Sequence, residues 1–163
     1  MSIRRTATAL GAISLGLISL TACSKPAKEA TVTVGSKSVM ASASKACYAK
    51  GALLPQEVFA ACLQAKPKHH ITVPVGDTVR IGVDPAIADK GWLIVQNTSL
   101  ANDELLKDKT YFTVDSAELF HVQDPQTGQS TVVKSVTLNI VESADTSGSK
   151  VSRVISFELR RDH

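Results

Sequence analysis

Short apolar segments with a period of two run through most of this chain, and that period constrains the fold more than any other feature. Val32 and Val34 alternate with Thr31 and Thr33, and Ile71, Val73 and Val75 alternate with Thr72 and Pro74. Val79, Ile81 and Val83 then face one way while Thr78, Arg80 and Gly82 face the other. Successive side chains of an extended strand point to opposite faces, so each segment reads as a strand with one buried side. Two longer strands close the chain at residues 131–142 and 151–160. Val136, Leu138 and Ile140 point inward from the first, and Ile155, Phe157 and Leu159 from the second. Aromatics make up only 4% of the residues, so the core must rest on Val, Ile, Leu and Ala. Eight or so short strands separated by turn residues predict an all-β, antiparallel β-sandwich with one short helix.

The connections support that pattern. Gly35-Ser36-Lys37-Ser38 turns residues 31–34 back onto 39–41 as a hairpin. The single expected helix follows Pro55, whose missing N–H costs nothing in a first helical turn. Val58, Phe59, Cys62 and Leu63 share one face of it. Pro74 marks an edge strand or a bend, and Gly76-Asp77 a turn. Residues 84–90 make a tight turn with room for one helical turn, and Gly91-Trp92-Leu93-Ile94-Val95 reads as a strand buried on both faces. Residues 98–109 form a polar connection with helical character around 102–106, followed by short strands at 111–114 and 118–122. Asp124-Pro125-Gln126-Thr127-Gly128 has turn chemistry, and residues 145–150 form the last hairpin loop. The stretch from Val73 to Val79 resembles the entry strands of immunoglobulin-like and cupredoxin-like domains, an analogy of fold that carries no function.

The N-terminus sets the compartment. Arg4 and Arg5 precede an uncharged stretch from Thr6 to Ala22 whose apolar part is too short to span a bilayer, which takes about 20 residues. A basic start, a short apolar centre and small residues at the exit make a secretory signal. Leu20-Thr21-Ala22-Cys23 resembles the lipobox of bacterial lipoproteins, in which Cys23 takes a diacylglyceryl group and becomes the first mature residue. Two acyl chains hold a protein to a membrane where one does so only marginally. Thr6-Ala7-Thr8 lacks the bulky apolar pair of twin-arginine signals, so general secretion is expected. The expected organisation is a signal peptide at 1–22, lipidated Cys23 with a tether to residue 30, and a sandwich domain over 31–163. The expected address is the extracytoplasmic face of the cell membrane, with membrane lipid as partner through acylated Cys23.

Without residues 1–22 the chain keeps 141 residues, with 16 basic against 15 acidic side chains. That length suits one domain, and the near-neutral balance offers no basic stripe for nucleic acid. Lipidation of Cys23 would leave Cys47 and Cys62, an even number in an oxidising compartment, which favours a disulfide. A thiol pair for redox or metal chemistry is the rival. Fourteen intervening residues are far from the C-x-x-C spacing of redox pairs.

Other candidates are weak. His69 and His70, with His121 or a free Cys62, suggest copper or zinc, but neighbours on a strand point to opposite faces. Solvated histidines beside Lys66 and Lys68 are the plainer reading. Asp84, Asp89, Asp103, Glu104 and Asp108 lack calcium-loop spacing and read as solvated surface. No G-x-S-x-G motif occurs, and no catalytic residue and no cofactor is assigned. Trp92, flanked by Leu93, Ile94 and Val95, reads as a core anchor, with a ligand platform as the minor alternative.

Taken along the mature chain, the lipobox, Val32-Thr33-Val34-Gly35, Cys47-Tyr48 and Gly76-Asp77-Thr78-Val79-Arg80 resemble an actinobacterial lipoprotein family of unknown function. Asp84-Pro85, residues 87–92, Lys109-Thr110-Tyr111 and residues 124–128 extend the resemblance. It implies an exported, membrane-tethered sandwich and supplies no activity. The function expected is a non-enzymatic binding or assembly module whose partner is an envelope protein or wall polymer. The alternative is copper or zinc delivery through His69, His70 and His121.

Overall fold

The computed structural model describes residues 28–123 and 126–162. The expected signal segment, Cys23, and Asp124-Pro125 of the expected turn lie outside the described residues. In chain order the elements are β1 (Glu29–Val34), β2 (Lys37–Ser42), α1 (Gln56–Gln64), β3 (His69–Val73), β4 (Thr78–Val83) and α2 (Pro85–Ala88). They continue as β5 (Trp92–Gln96), β6 (Ser99–Leu100), β7 (Tyr111–Asp115), α3 (Ser116–Phe120), β8 (His121–Gln123), β9 (Ser130–Val132), β10 (Ser135–Ser143) and β11 (Val151–Arg161).

Two sheets face each other. The first has the order β2-β1-β4-β7 and is antiparallel throughout. The second has the order β3-β11-β10-β5-β6, and a separate ribbon pairs β8 with β9. One pair departs from the antiparallel expectation: β3 runs parallel to β11. Its direction follows from its exit, because β3 must lead into the turn at Gly76-Asp77 that carries the chain into the first sheet. It is also an edge strand, which is where Pro74 can end a strand without breaking a ladder.

The alternation places the core as expected. Val32 and Ile81 from the first sheet meet Ile94, Leu138, Ile140, Ile155 and Phe157 from the second, all essentially inaccessible to solvent. Side chains of this size each contribute about 1.5–3 kcal/mol when fully buried. Trp92 lies in this core, and its indole N–H donates to the Lys109 carbonyl at 2.7 Å, so the one tryptophan is buried with its polar atom satisfied.

A second apolar cluster lies on the outer face of the second sheet. Leu93, Val95, Val141 and Val154 are covered there by Cys62, Val58, Phe59 and Leu63 of α1 and by Leu54. Both faces of β5 are therefore covered, which is why residues 92–95 are apolar without a break.

Four details differ from the sequence reading. Among the described residues there are three α-helices, where one was expected with room for a single further turn at 84–90. Residues 116–120, expected partly as strand, form α3 because the Asp115 carboxylate accepts from the Ala117 amide at 2.7 Å and starts a helical turn. Asp84 caps α2 in the same way, accepting from the Ala86 amide at 2.8 Å, with Pro85 at the first helical position. Residues 102–106 are not helical. The Asn102 side chain accepts from the Ile94 amide, and Leu106 bridges Trp92, so both ends are pinned to β5. Finally, the expected strand at 131–142 is two strands. It changes partner around Val133, whose amide donates to the Phe120 carbonyl. β1 also begins at Glu29, two residues ahead of the expected boundary.

Candidate functional site

The second sheet has a gap in one edge. Tyr48 bridges Arg153 near the start of β11, while the amides of Ala49 and Leu54 donate to the carbonyls of Ser152 and Val151. β3 joins β11 further along, from the His69–Phe157 pair onward. Between those two neighbours, residues 154–156 have no register partner on that edge among the described residues. A groove of about 410 Å³ occupies the gap. Residues 42–44 at the exit of β2, the Cys47–Cys62 bond, residues 65–69, Val154 and Ser156 line it.

The chain makes this groove through local geometry. A single turn of 3-10 helix at Lys45–Cys47 delivers Cys47 beneath α1, where Cys62 is buried. The two sulfurs are bonded at 2.00 Å with the Cα atoms 5.8 Å apart, as the cysteine count predicted. α1 then stops at Gln64, and Pro67 leads the chain into β3 at His69. Lys66, Lys68 and His69 consequently line the groove, and no carboxylate does.

The expected histidine set is not brought together. His69 has the parity of the buried Ile71 and Val73 and lines the groove, whereas His70 lies on the opposite face, paired in register with Glu158. His121 is on the β8–β9 ribbon, 3.3 Å from the Ser130 hydroxyl. Cys62 is committed to its disulfide. Among the described residues no three His, Cys, Asp or Glu side chains are grouped as metal ligands would be. Of the acidic residues read as surface, Asp89, Asp103, Glu104 and Asp108 are exposed, while Asp84 has its capping role.

A charged cluster that the sequence reading passed over lies at the end of the inter-sheet core where the chain enters. Glu142 and Arg153 face each other across β10 and β11 and are 1% and 4% exposed. Glu142 Oε1 accepts from the Ser152 hydroxyl at 2.7 Å and pairs with Lys90 Nζ at 2.8 Å. Arg153 Nε stands 3.2 Å from Oε2, a charge contact outside hydrogen-bonding geometry. The Arg153 guanidinium also donates to the Lys28 carbonyl at 3.1 Å and sits 4.2 Å from the centre of the Tyr48 ring. Burial pushes the Glu142 carboxyl up, but hydrogen bonds from Lys90 and Ser152 and the charges of Arg153 and Lys90 outweigh it. The group is held below its ordinary value of 4.5. A register shift at Glu142/Ser143 makes the cluster possible, because the extra residue in β11 brings Ser152 against Glu142. The sequence did carry a signal: Glu142 continues the inward parity of Val136, Leu138 and Ile140, and Arg153 that of Ile155 and Phe157. The cluster sits where the chain enters the sandwich, with Glu142 held between Lys90 and Arg153.

No helix among the described residues is long and apolar enough to cross a membrane. No family model matches the chain, and no curated protein matches it. Among solved structures, the fibronectin(III)-like modules of Clostridium thermocellum CbhA align with 61% of this chain and 95% of theirs, at 8% identity and a TM-score of 0.35. The β-sandwich assignment therefore rests on the strand order and the two-sided core of this chain.

Proposed function

We propose that this protein is an exported lipoprotein, tethered through Cys23, that works as a non-enzymatic binding module on the extracytoplasmic face of the membrane. The observation that carries this reading is the Cys47–Cys62 bond. Disulfides persist in oxidising compartments, and a lipobox-like stretch predicts the same address. The bond also accounts for two of three cysteines, so Cys23 is the one outside it, where the lipidation chemistry needs a thiol.

The tether is short. Residues 23–27 lead to Lys28, a reach of at most about 17 Å. Lys28 is fixed at both its ends: its carbonyl takes the Arg153 guanidinium and its ammonium donates to the Ala86 carbonyl at 2.9 Å. The charged cluster thus sets where the chain leaves the domain, and a tether of this length keeps that end near the headgroups. The groove is the surface best suited to a partner, an envelope protein or a wall polymer, because it is an open concavity with polar donors.

Membrane partition tests the reading. The parent chain is expected in the membrane fraction with a mass that includes two or three acyl chains on Cys23. A Cys23→Ser variant is expected to be unacylated and to keep its signal segment. Acyl-free parent protein starting at or after Ser24, or a variant that is processed and retained as its parent is, contradicts it.

A further inference from the structure

We propose that the groove beside the disulfide binds a phosphate ester, through Lys66, Lys68 and His69 with the hydroxyls of Ser42 and Ser44. The inference names the ligand class of the surface offered above as the working face, and so rests on that reading.

The groove exists because an edge of the second sheet is left uncovered at residues 154–156. At about 410 Å³ it falls within the range of small-molecule sites. Its charged lining is of one sign: Lys66 and Lys68 contribute, with the His69 ring beside them, and no Asp or Glu does. Glu158 is not in that lining and accepts from Arg160 at 2.8 Å. That hydrogen bond, with the charges of Arg160, Lys66 and His70, holds its carboxyl below the usual range. Lys66 also lines a neighbouring hollow together with Glu158, so Lys68 and His69 are the principal donors of the groove.

The donor set fits phosphate better than carboxylate. Lysine binds phosphate as a point charge, and the hydroxyls of Ser42 and Ser44 can meet oxygens a carboxylate lacks. The Ser156 hydroxyl is already given to Asn139 at 2.6 Å and is left out of the set. The serine wall is also at the tethered end, since Ser42 pairs with Glu29 at the start of β1. Two sources of the ester are therefore in reach, a phospholipid headgroup and a soluble phosphorylated envelope component.

The test uses the full mature chain in uncharged detergent micelles at constant ionic strength, with inorganic phosphate and phosphatidylglycerol as probes. The His69 ring and the Ser44 and Lys68 amides are followed by NMR. Saturable shifts with phosphate alone support the site with a soluble source. Saturable shifts with phosphatidylglycerol, absent with a zwitterionic lipid, support it with a headgroup source. A Lys68→Gln, His69→Asn variant should bind the effective probe at least tenfold more weakly, and Lys68→Arg should retain binding. No saturable shift with either probe, or undiminished affinity in the double variant, overturns the proposal. Intact mass of the same sample reports the anchor separately. A chain without acyl groups that still binds phosphate breaks only the tether reading, and an acylated chain blind to both probes breaks only the ligand assignment.

Discussion

The two apolar clusters of this protein are closed in different ways. The inter-sheet core is enclosed by two sheets whose ladders pair nearly every strand on at least one side, and its ends are sealed by α3 and by the Glu142–Arg153 cluster. The outer cluster has only one sheet. Its other wall is nine residues of α1, too short to hold as an isolated helix. What fixes that wall is the Cys47–Cys62 bond. One core closes through secondary structure, and the other needs an oxidant. The groove lies along the seam of the second, so its shape depends on the compartment in which the chain folds.

Substitutions should separate the two clusters by size of effect. Phe157 is fully buried in the inter-sheet core. Phe157→Ala should cost about 3–5 kcal/mol through lost burial and the cavity left behind, read as a fall in the denaturant midpoint for every probe together. At the sealed end, Glu142→Ala strands the Arg153 charge and should cost a similar ~3–5 kcal/mol, whereas replacing both by apolar residues of like volume should recover most of it.

Glu142 also predicts a pH dependence. Its carboxyl is depressed in the folded state relative to the unfolded one, so its contribution is fully present above the ordinary value of 4.5. It is lost as pH falls through the lower folded value. The stability gap between the parent and Glu142→Gln should therefore be constant at neutral pH and narrow in acid, as followed by unfolding curves at stepped pH. A gap that widens on acidification contradicts the assignment.

The outer cluster should respond less. Replacing Cys47 and Cys62 by Ala should cost about 3 kcal/mol, the loop-closure value for a bridge spanning 15 positions. Smallest of all, Lys68→Gln at the groove rim should move stability by no more than ~0.5 kcal/mol, since Lys68 is exposed and makes no ion pair among the described residues.

Much of this division is legible in the amino-acid sequence. Period-two alternation located the inward faces of β4, β10 and β11, and the unbroken apolar run at 92–95 implied a strand covered on both sides. The i, i+3, i+4 face at Val58, Phe59, Cys62 and Leu63 put a cysteine against the sheet before any pairing was known. An element decided by one side-chain cap was not legible: Asp115 starts a helix where residues 118–122 read as strand. The groove was not legible, because it is an absence of pairing along one edge of β11, and strand patterns carry no register with distant segments. The charged cluster was legible only by parity, and needed the register shift that turns Ser152 toward Glu142.

The disulfide holds α1 and the groove, whereas the sandwich holds itself. Hydrogen exchange of the oxidised and reduced protein tests this most directly. Reduction should strip protection from residues 56–64 and from the groove's 42–47 wall, while β1, β4, β10 and the inner ladder of β11 keep theirs. Protection of α1 that survives reduction, or a collapse of protection in both sheets at once, would contradict it.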